Sequence, residues 1–316
     1  MAQQDALSLV ADTGGTNTRM ALARGGQILP DTTERFRNAD FPGLTSIIAE
    51  YLSKHRVLPA RAAFAAAGMS QGRRIELTNY GWYLDADEIE SATGIRSAHL
   101  LNDLQAQGHA VPALPDSVLR PVRVGQPSGA TRLVIGLGTG VNAAPVYPVG
   151  RGYAVPAAEA GHIHLPLRGA LDYRLADWLV AQRGVASVED VLAGSGLERL
   201  YAFHAMEAGA NPDRNASQIM QDMAAGQDLA CATGAHYVQL LARFSATLAL
   251  ATLPYAGIFL IGGVARAFGP YLDQFGFDDA FTQMGRMSDL AARFPVALVE
   301  DDFAALQGCA SYLSAL

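Results

Sequence analysis

A short strand that enters a turn rich in glycine and threonine and leaves it as a second strand occurs twice in this chain. No other feature constrains the fold as much. The first copy is residues 7–12, Thr13-Gly14-Gly15-Thr16 and residues 19–23; the second is residues 133–136, Gly138-Thr139-Gly140 and residues 143–147. Glycines at such turns let backbone N–H groups approach an anionic oxygen with no side chain in the way, and threonine hydroxyls add donors. One copy in each half of the chain suggests two related lobes with a nucleotide held between them. Taken singly, each turn reads equally well as an ordinary tight hairpin. No lysine follows the glycines of the first, so it is not a Walker loop.

The segments around the hairpins alternate between strand and helix. Residues 7–11, 61–67, 133–136 and 257–261 are apolar runs of strand length, and residues 41–54, 86–92, 171–182 and 235–253 carry helical patterns. This alternation predicts an α/β fold. A chain of 316 residues exceeds what one hydrophobic core usually serves, so two domains are expected. A helix over residues 303–315 follows a strand at 296–299 and is expected to pack back on the N-terminal lobe. Residues 245–265 contain no charge and could span a bilayer on length alone. Pro254, Gly257 and Gly262-Gly263 interrupt them, and a buried helix, a turn and a central strand fit better.

A formal net charge of -7 provides no long-range attraction for nucleic acid or an anionic membrane, so a polyanionic ligand must be held locally. Cys231 and Cys309 form no CxxC pair, which points away from a disulfide framework or structural zinc and fits a reducing cytoplasm. The first residues lack a basic region, so no secretory signal is expected.

Polar residues at strand ends are the candidates for chemistry. Asp12 closes the first strand, where a carboxylate can hold Mg²⁺ through its waters, and Gly14, Gly15, Thr16 and Asn17 follow as the turn. Gly262-Gly263 closes the strand at 257–261 and would let a helix starting near Ala265 approach a flat ligand. Asn102-Asp103 closes another apolar strand and opens a helix. Asp103 is therefore either that helix's cap or a carboxylate facing the ligand crevice, able to accept the proton of an attacking hydroxyl. Glu159, His162 and Glu189 complete the polar set. Two carboxylates and an imidazole match a sugar, whose hydroxyls both donate and accept. His162 reads also as a satisfied core histidine, or with His164 as one face of a metal-binding strand, although no third ligand stands at a characteristic spacing.

Taken together and in order, these motifs resemble the bacterial glucokinase family of the hexokinase, actin and heat-shock ATPase superfamily. The resemblance runs from residues 9–17 through Leu77-Thr78-Asn79 with Trp82, Leu101-Asn102-Asp103, Gly138-Thr139-Gly140, residues 159–162 and residues 189–192 to Ile261-Gly262-Gly263. It implies a two-lobed, actin-like (ribonuclease H-like) ATPase fold with an interlobe cleft. The smaller α/β domain would comprise residues 1–106 plus 298–316 and the larger α+β domain residues 107–297, usually as a homodimer. It further implies ATP and Mg²⁺ as cofactors and glucose or another hexose as acceptor. Asp103 would be the base. Asn79, Asn102, Glu159, His162 and Glu189 would bind the sugar, and both glycine hairpins with Gly262-Gly263 the nucleotide. A related repressor and kinase group carries a cysteine-rich zinc motif after its Gly-His; here Gly161-His162 continues as Ile163-His164-Leu165-Pro166. Three positions depart from the family pattern. Asn142 and Ala160 each stand where a glycine is usual, and Ala66-Ala67-Gly68-Met69 lacks the usual proline. A sugar-responsive regulator would place a helix-turn-helix before the first hairpin, and a nucleotide hydrolase would not need Glu159, His162 and Glu189.

Overall fold

The computed structural model describes residues 6–77, 81–150, 152–300 and 304–316. Two compact units emerge: Met1–Leu114 with Val146–Ala157 and Asp301–Leu316, and Pro115–Pro145 with Ala158–Glu300.

The first unit is built on β1 (Ser8–Thr13), β2 (Asn17–Arg24), β3 (Gln27–Ile28), β4 (Glu34–Arg37), β5 (Arg61–Ala66) and β9 (Ser97–Asn102), in the order β3-β2-β1-β5-β9 with β4 also paired to β2. β1 and β2 are antiparallel, with Asp12 opposite Arg19, whereas β1, β5 and β9 run parallel. A small antiparallel sheet, β6 (Gly68–Gln71), β7 (Arg74–Leu77) and β8 (Tyr83–Asp85), lies between β5 and β9 in sequence.

Side chains alternate across a strand, so the main sheet has two apolar faces of different depth. Leu9, Ala11, Met20, Leu22 and Phe64 join Ile47 and Ile48 of α1 (Leu44–His55) and Ile89 of α2 (Ala86–Thr93). On the other face Val10, Ala21, Ala23, Ala63 and Ala65 meet α3 (Asp103–Ala110) and α12 (Ala304–Ala315). Those side chains are small, so α12 sits close. A Cβ on Gly308 would overlap the Ala106 carbonyl oxygen, and Cys309 Sγ lies 3.7 Å from the Ala11 carbonyl oxygen. The last helix thus packs on the N-terminal strands, as its apolar pattern predicts.

Residues 146–157, placed by the sequence reading within 107–297, group with this first unit. Gln105 Nε2 donates to the Val155 carbonyl at 2.9 Å, and a Cβ on Gly108 would stand 2.7 Å from the Val155 side chain.

The second unit repeats the hairpin-plus-parallel-strand plan. β10 (Leu119–Arg123), β11 (Arg132–Leu137), β12 (Val141–Val149), β13 (Gly152–Ala154), β14 (Gly257–Ile261) and β15 (Val296–Val299) follow the order β10-β15-β14-β11-β12-β13, with the end of β12 and β13 belonging to the first unit. β11, β14 and β15 are parallel. Leu133, Ile135, Ile258 and Leu260 pack with Tyr237, Leu241 and Phe244 of α8 (Asp228–Thr252), the longest helix. The uncharged stretch is therefore a buried helix that ends at Leu253 in the left-handed region (φ 49°), then a turn, then β14. Among the described residues, no helix is long and apolar enough to cross a membrane. The remaining helices are α4 (Ala170–Arg183), α5 (Glu189–Leu192), α6 (Gly194–Ala208), α7 (Ala216–Ala224), α9 (Gly263–Phe268), α10 (Phe277–Thr282) and α11 (Ser288–Ala291).

Candidate active site

In the first unit the β1–β2 turn closes through Gly14 N donating to the Asn17 carbonyl at 3.0 Å. Asn38 braces it from outside. This fully buried side chain donates from Nδ2 to the Gly14 carbonyl at 2.8 Å and accepts from Thr18 Oγ1 at 2.9 Å, and its backbone N–H donates to the Thr16 carbonyl at 2.9 Å. Gly15 and Asn17 are half-buried and Thr16 is exposed, so the rim of the turn stays open to a ligand. Asn38 carries no sequence motif and was not among the expected site residues. Its only signal was a lone amide directly after the mostly charged strand β4.

Asp12 lies on β1 beside this turn. Burial pushes its carboxyl up to about 6, with nearby Asp103 adding to the rise and Arg19, whose guanidinium lies 3.9 Å away, opposing it. The rise is thus a cost of burial, since the Arg19 cation counts for more than the Asp103 anion. Thr13 Oγ1, next in the chain, is buried with no hydrogen-bond partner among the described residues. A carboxylate beside an unpartnered hydroxyl suits Mg²⁺, which takes few carboxylates and keeps most of its water. Among the described residues no group of three or more His, Cys, Asp and Glu is arranged to hold a metal ion.

Asn102, and not Asp103, caps α3. Asn102 Oδ1 accepts from Gln105 N at 2.6 Å, and Gln105 Oε1 accepts from Asn102 N at 3.1 Å, a reciprocal box legible in the sequence as Asn-x-x-Gln. The cap reading of Asp103 is thereby corrected. Its carboxylate is exposed on the first residue of the helix, where Oδ1 accepts from Leu104 N at 2.8 Å. Capping engages the Asn102 oxygen and leaves its amide nitrogen as the group able to meet a sugar.

In the second unit the β11–β12 turn closes through Gly138 N donating to the Gly140 carbonyl at 3.0 Å, while Gly194 N donates to the Gly138 carbonyl at 2.9 Å. Thr139 and Gly140 are exposed. Glu189, the first residue of α5, accepts from Val141 N at 2.8 Å through Oε2, and a Cβ on Gly140 would stand 2.7 Å from the same oxygen. One candidate sugar ligand is therefore fastened to the exit of the turn. Gly262 (φ 109°) ends β14 so close to β11 that a Cβ would overlap the Leu137 carbonyl. The following helix starts at Gly263, earlier than the expected Ala265, and Gly263 is exposed with open space where a side chain would stand.

Glu159 and His162 flank a single 3-10 turn, Ala160–His162, so His162 and His164 do not share a strand face. Both Glu159 and His162 are exposed, which removes the core-histidine reading. Val188 N donates to the Ile163 carbonyl at 3.0 Å and His164 bridges Ser187, which brings the His162 segment beside Glu189. Gly161 permits this packing, since a Cβ there would overlap the Val141 carbonyl. The two glycine replacements meet: Asn142 Oδ1 accepts from Ala160 N at 2.9 Å. Asn79 lies outside the described residues.

Structural neighbours define the class. The chain superposes on a glucokinase from an Antarctic psychrotroph with a TM-score of 0.89 at 30% identity, covering 98% of this chain and 99% of that one. The Balamuthia mandrillaris glucokinase, solved in complex with glucose, shares the fold with a TM-score of 0.81 at 20% identity over 98% of this chain and 94% of that one. The fold is the two-lobed actin-like ATPase fold of sugar kinases. Residues 9–316 match the glucokinase family model. A Nostoc punctiforme glucokinase is 31% identical over 96% of this chain and 98% of its own length. The chain belongs to the glucokinase family.

Proposed function

We propose that this chain transfers the terminal phosphoryl group of ATP to the 6-hydroxyl of glucose, giving glucose 6-phosphate. The observation that carries the reading is Asp103, an exposed carboxylate at the C-terminal end of β9 that Asn102 relieves of capping. Phosphoryl transfer has a loose transition state, so such a carboxylate orients the attacking hydroxyl and takes its proton late. In the second unit Glu159, His162 and Glu189 present acceptors and a donor for sugar hydroxyls, with Glu189 offering the oxygen not used on Val141 N. The open glycine turns, Gly14–Asn17 and Gly138–Gly140, direct backbone N–H groups at phosphate oxygens, and Gly263 leaves room for a base. Asp12 would hold Mg²⁺ through water, and the ion would neutralise charge on the transferred group. The enzyme is read as cytoplasmic and homodimeric.

A coupled assay tests this. ATP is supplied with glucose, fructose, mannose or N-acetylglucosamine beside a blank without sugar. Glucose-dependent ADP formation is expected, and equal phosphate release in the blank would replace the kinase by a hydrolase.

A further inference from the structure

Asn142 has one carboxamide and uses both ends of it on the loop that carries Glu159. Its Oδ1 accepts from Ala160 N at 2.9 Å and from its own neighbour Ala143 N at 2.8 Å, while Nδ2 donates to the Ala158 carbonyl. The peptide groups on both sides of Glu159 are thus tied to one side chain on β12. Glu159 itself has no side-chain cap and an irregular backbone (φ -123°, ψ 53°), so neither helix nor strand sets its direction. The preceding residue, Val141, bonds Glu189 through its N–H. Two adjacent residues of β12, at the exit of the Gly138–Gly140 turn, therefore hold the Glu189 carboxylate and the loop that carries Glu159, the two acids that the proposed reading gives to the sugar.

We infer that Asn142 is a positioning residue that aims the Glu159 carboxylate and thereby sets sugar affinity and the choice between epimeric hexoses. This rests on the reading of Glu159 as a sugar ligand. The reasoning is geometric. A sugar hydroxyl hydrogen bond tolerates little displacement of its acceptor. An acceptor on a short irregular loop keeps its place only if the loop's own peptide groups are fixed, and Asn142 fixes them on both sides. Aspartate at this position would keep acceptance from the Ala160 and Ala143 N–H groups but lose donation to the Ala158 carbonyl, so it separates the two halves of the tie.

The test compares wild type, Asn142→Ala, Asn142→Asp, Glu159→Gln and the double variant Asn142→Ala/Glu159→Gln. KM for glucose, KM for ATP and kcat/KM for glucose against mannose are measured, with sugar binding followed by calorimetry. Asn142→Ala is expected to raise KM for glucose roughly tenfold with KM for ATP changed less than about twofold, and to narrow the glucose-to-mannose preference. Asn142→Asp is expected to fall between wild type and alanine. The double variant is expected to lose no more sugar affinity than the worse single variant, because a residue acting only through Glu159 is not additive with it. Full additivity, or a rise in KM for ATP alone, would assign Asn142 to the hairpin and overturn the proposal. If Asn142→Ala does not fold, a wild-type sugar KM in Asn142→Asp overturns it equally. A wild type that phosphorylates no sugar and binds none removes instead the reading of the site on which the inference stands.

Discussion

The two glycine hairpins are built to one plan and braced in two ways. Around β1–β2 the brace is Asn38, a neutral amide buried away from solvent whose bonds end on the turn. Around β11–β12 it is Glu189, a charged side chain with only one oxygen committed to Val141 N. The first brace can only hold its turn. The second can hold its turn and bind a ligand with the oxygen left over, so a change there is felt by both. On the proposed reading, the pair of hairpins separates support from binding in one unit and merges them in the other.

The predictions probe that contrast. The largest effect belongs to neither brace: Asp103→Ala should lower kcat by about 10²–10⁴-fold with glucose affinity nearly unchanged in calorimetry, and near-normal turnover would remove Asp103 as the base. Glu189→Ala should raise KM for glucose and for ATP together, each by about tenfold, since it leaves Val141 N–H without its acceptor and takes a sugar ligand away. An effect on one substrate only would erase the difference between the braces. Asn38→Ala should raise KM for ATP alone and destabilise the protein by about 1–3 kcal/mol in denaturant unfolding. A matching rise in KM for glucose would mean the first brace reaches a ligand too.

The smallest effect is on stability with pH. The Asp12 carboxyl sits at about 6 in the folded protein against an ordinary 3.8, so folding favours its protonated form. The stability it contributes is present below about pH 4 and is lost as pH rises through 6. Asp12→Asn should therefore raise Tm at pH 7.5 by about 2–4 °C in metal-free protein while leaving Tm below about pH 4 nearly unchanged. Equal pH dependence in variant and wild type would show that Asp12 carries no burial cost beside the amide-braced first turn.

Much of the fold was legible because it rests on local patterns. The strands ending at Asp12, Asn102, Leu137 and Ile261 announce themselves as apolar runs stopped by polar or glycine residues, and the hairpins repeat visibly. The roles of single polar residues were less legible. Asp103 read as a cap or as a base until the Asn102–Gln105 box was seen, and His162 read as a sugar ligand or as a core histidine until its exposure was known. Asn38 and Asn142 were not assigned as anchors because their partners are far away in the chain: Gly14 lies 24 positions from Asn38, and Ala160 lies 18 from Asn142.

By itself the sequence determined the α/β alternation, the two glycine turns and the identities of the polar groups at strand ends, since each depends on residue type and on spacing within a few positions. Tertiary structure alone decided which groups remain available to a ligand. A hydrogen bond engages a donor or an acceptor, and whether Asn38, Glu189 or Asn142 has one to spare depends on neighbours that only folding brings within about 3 Å.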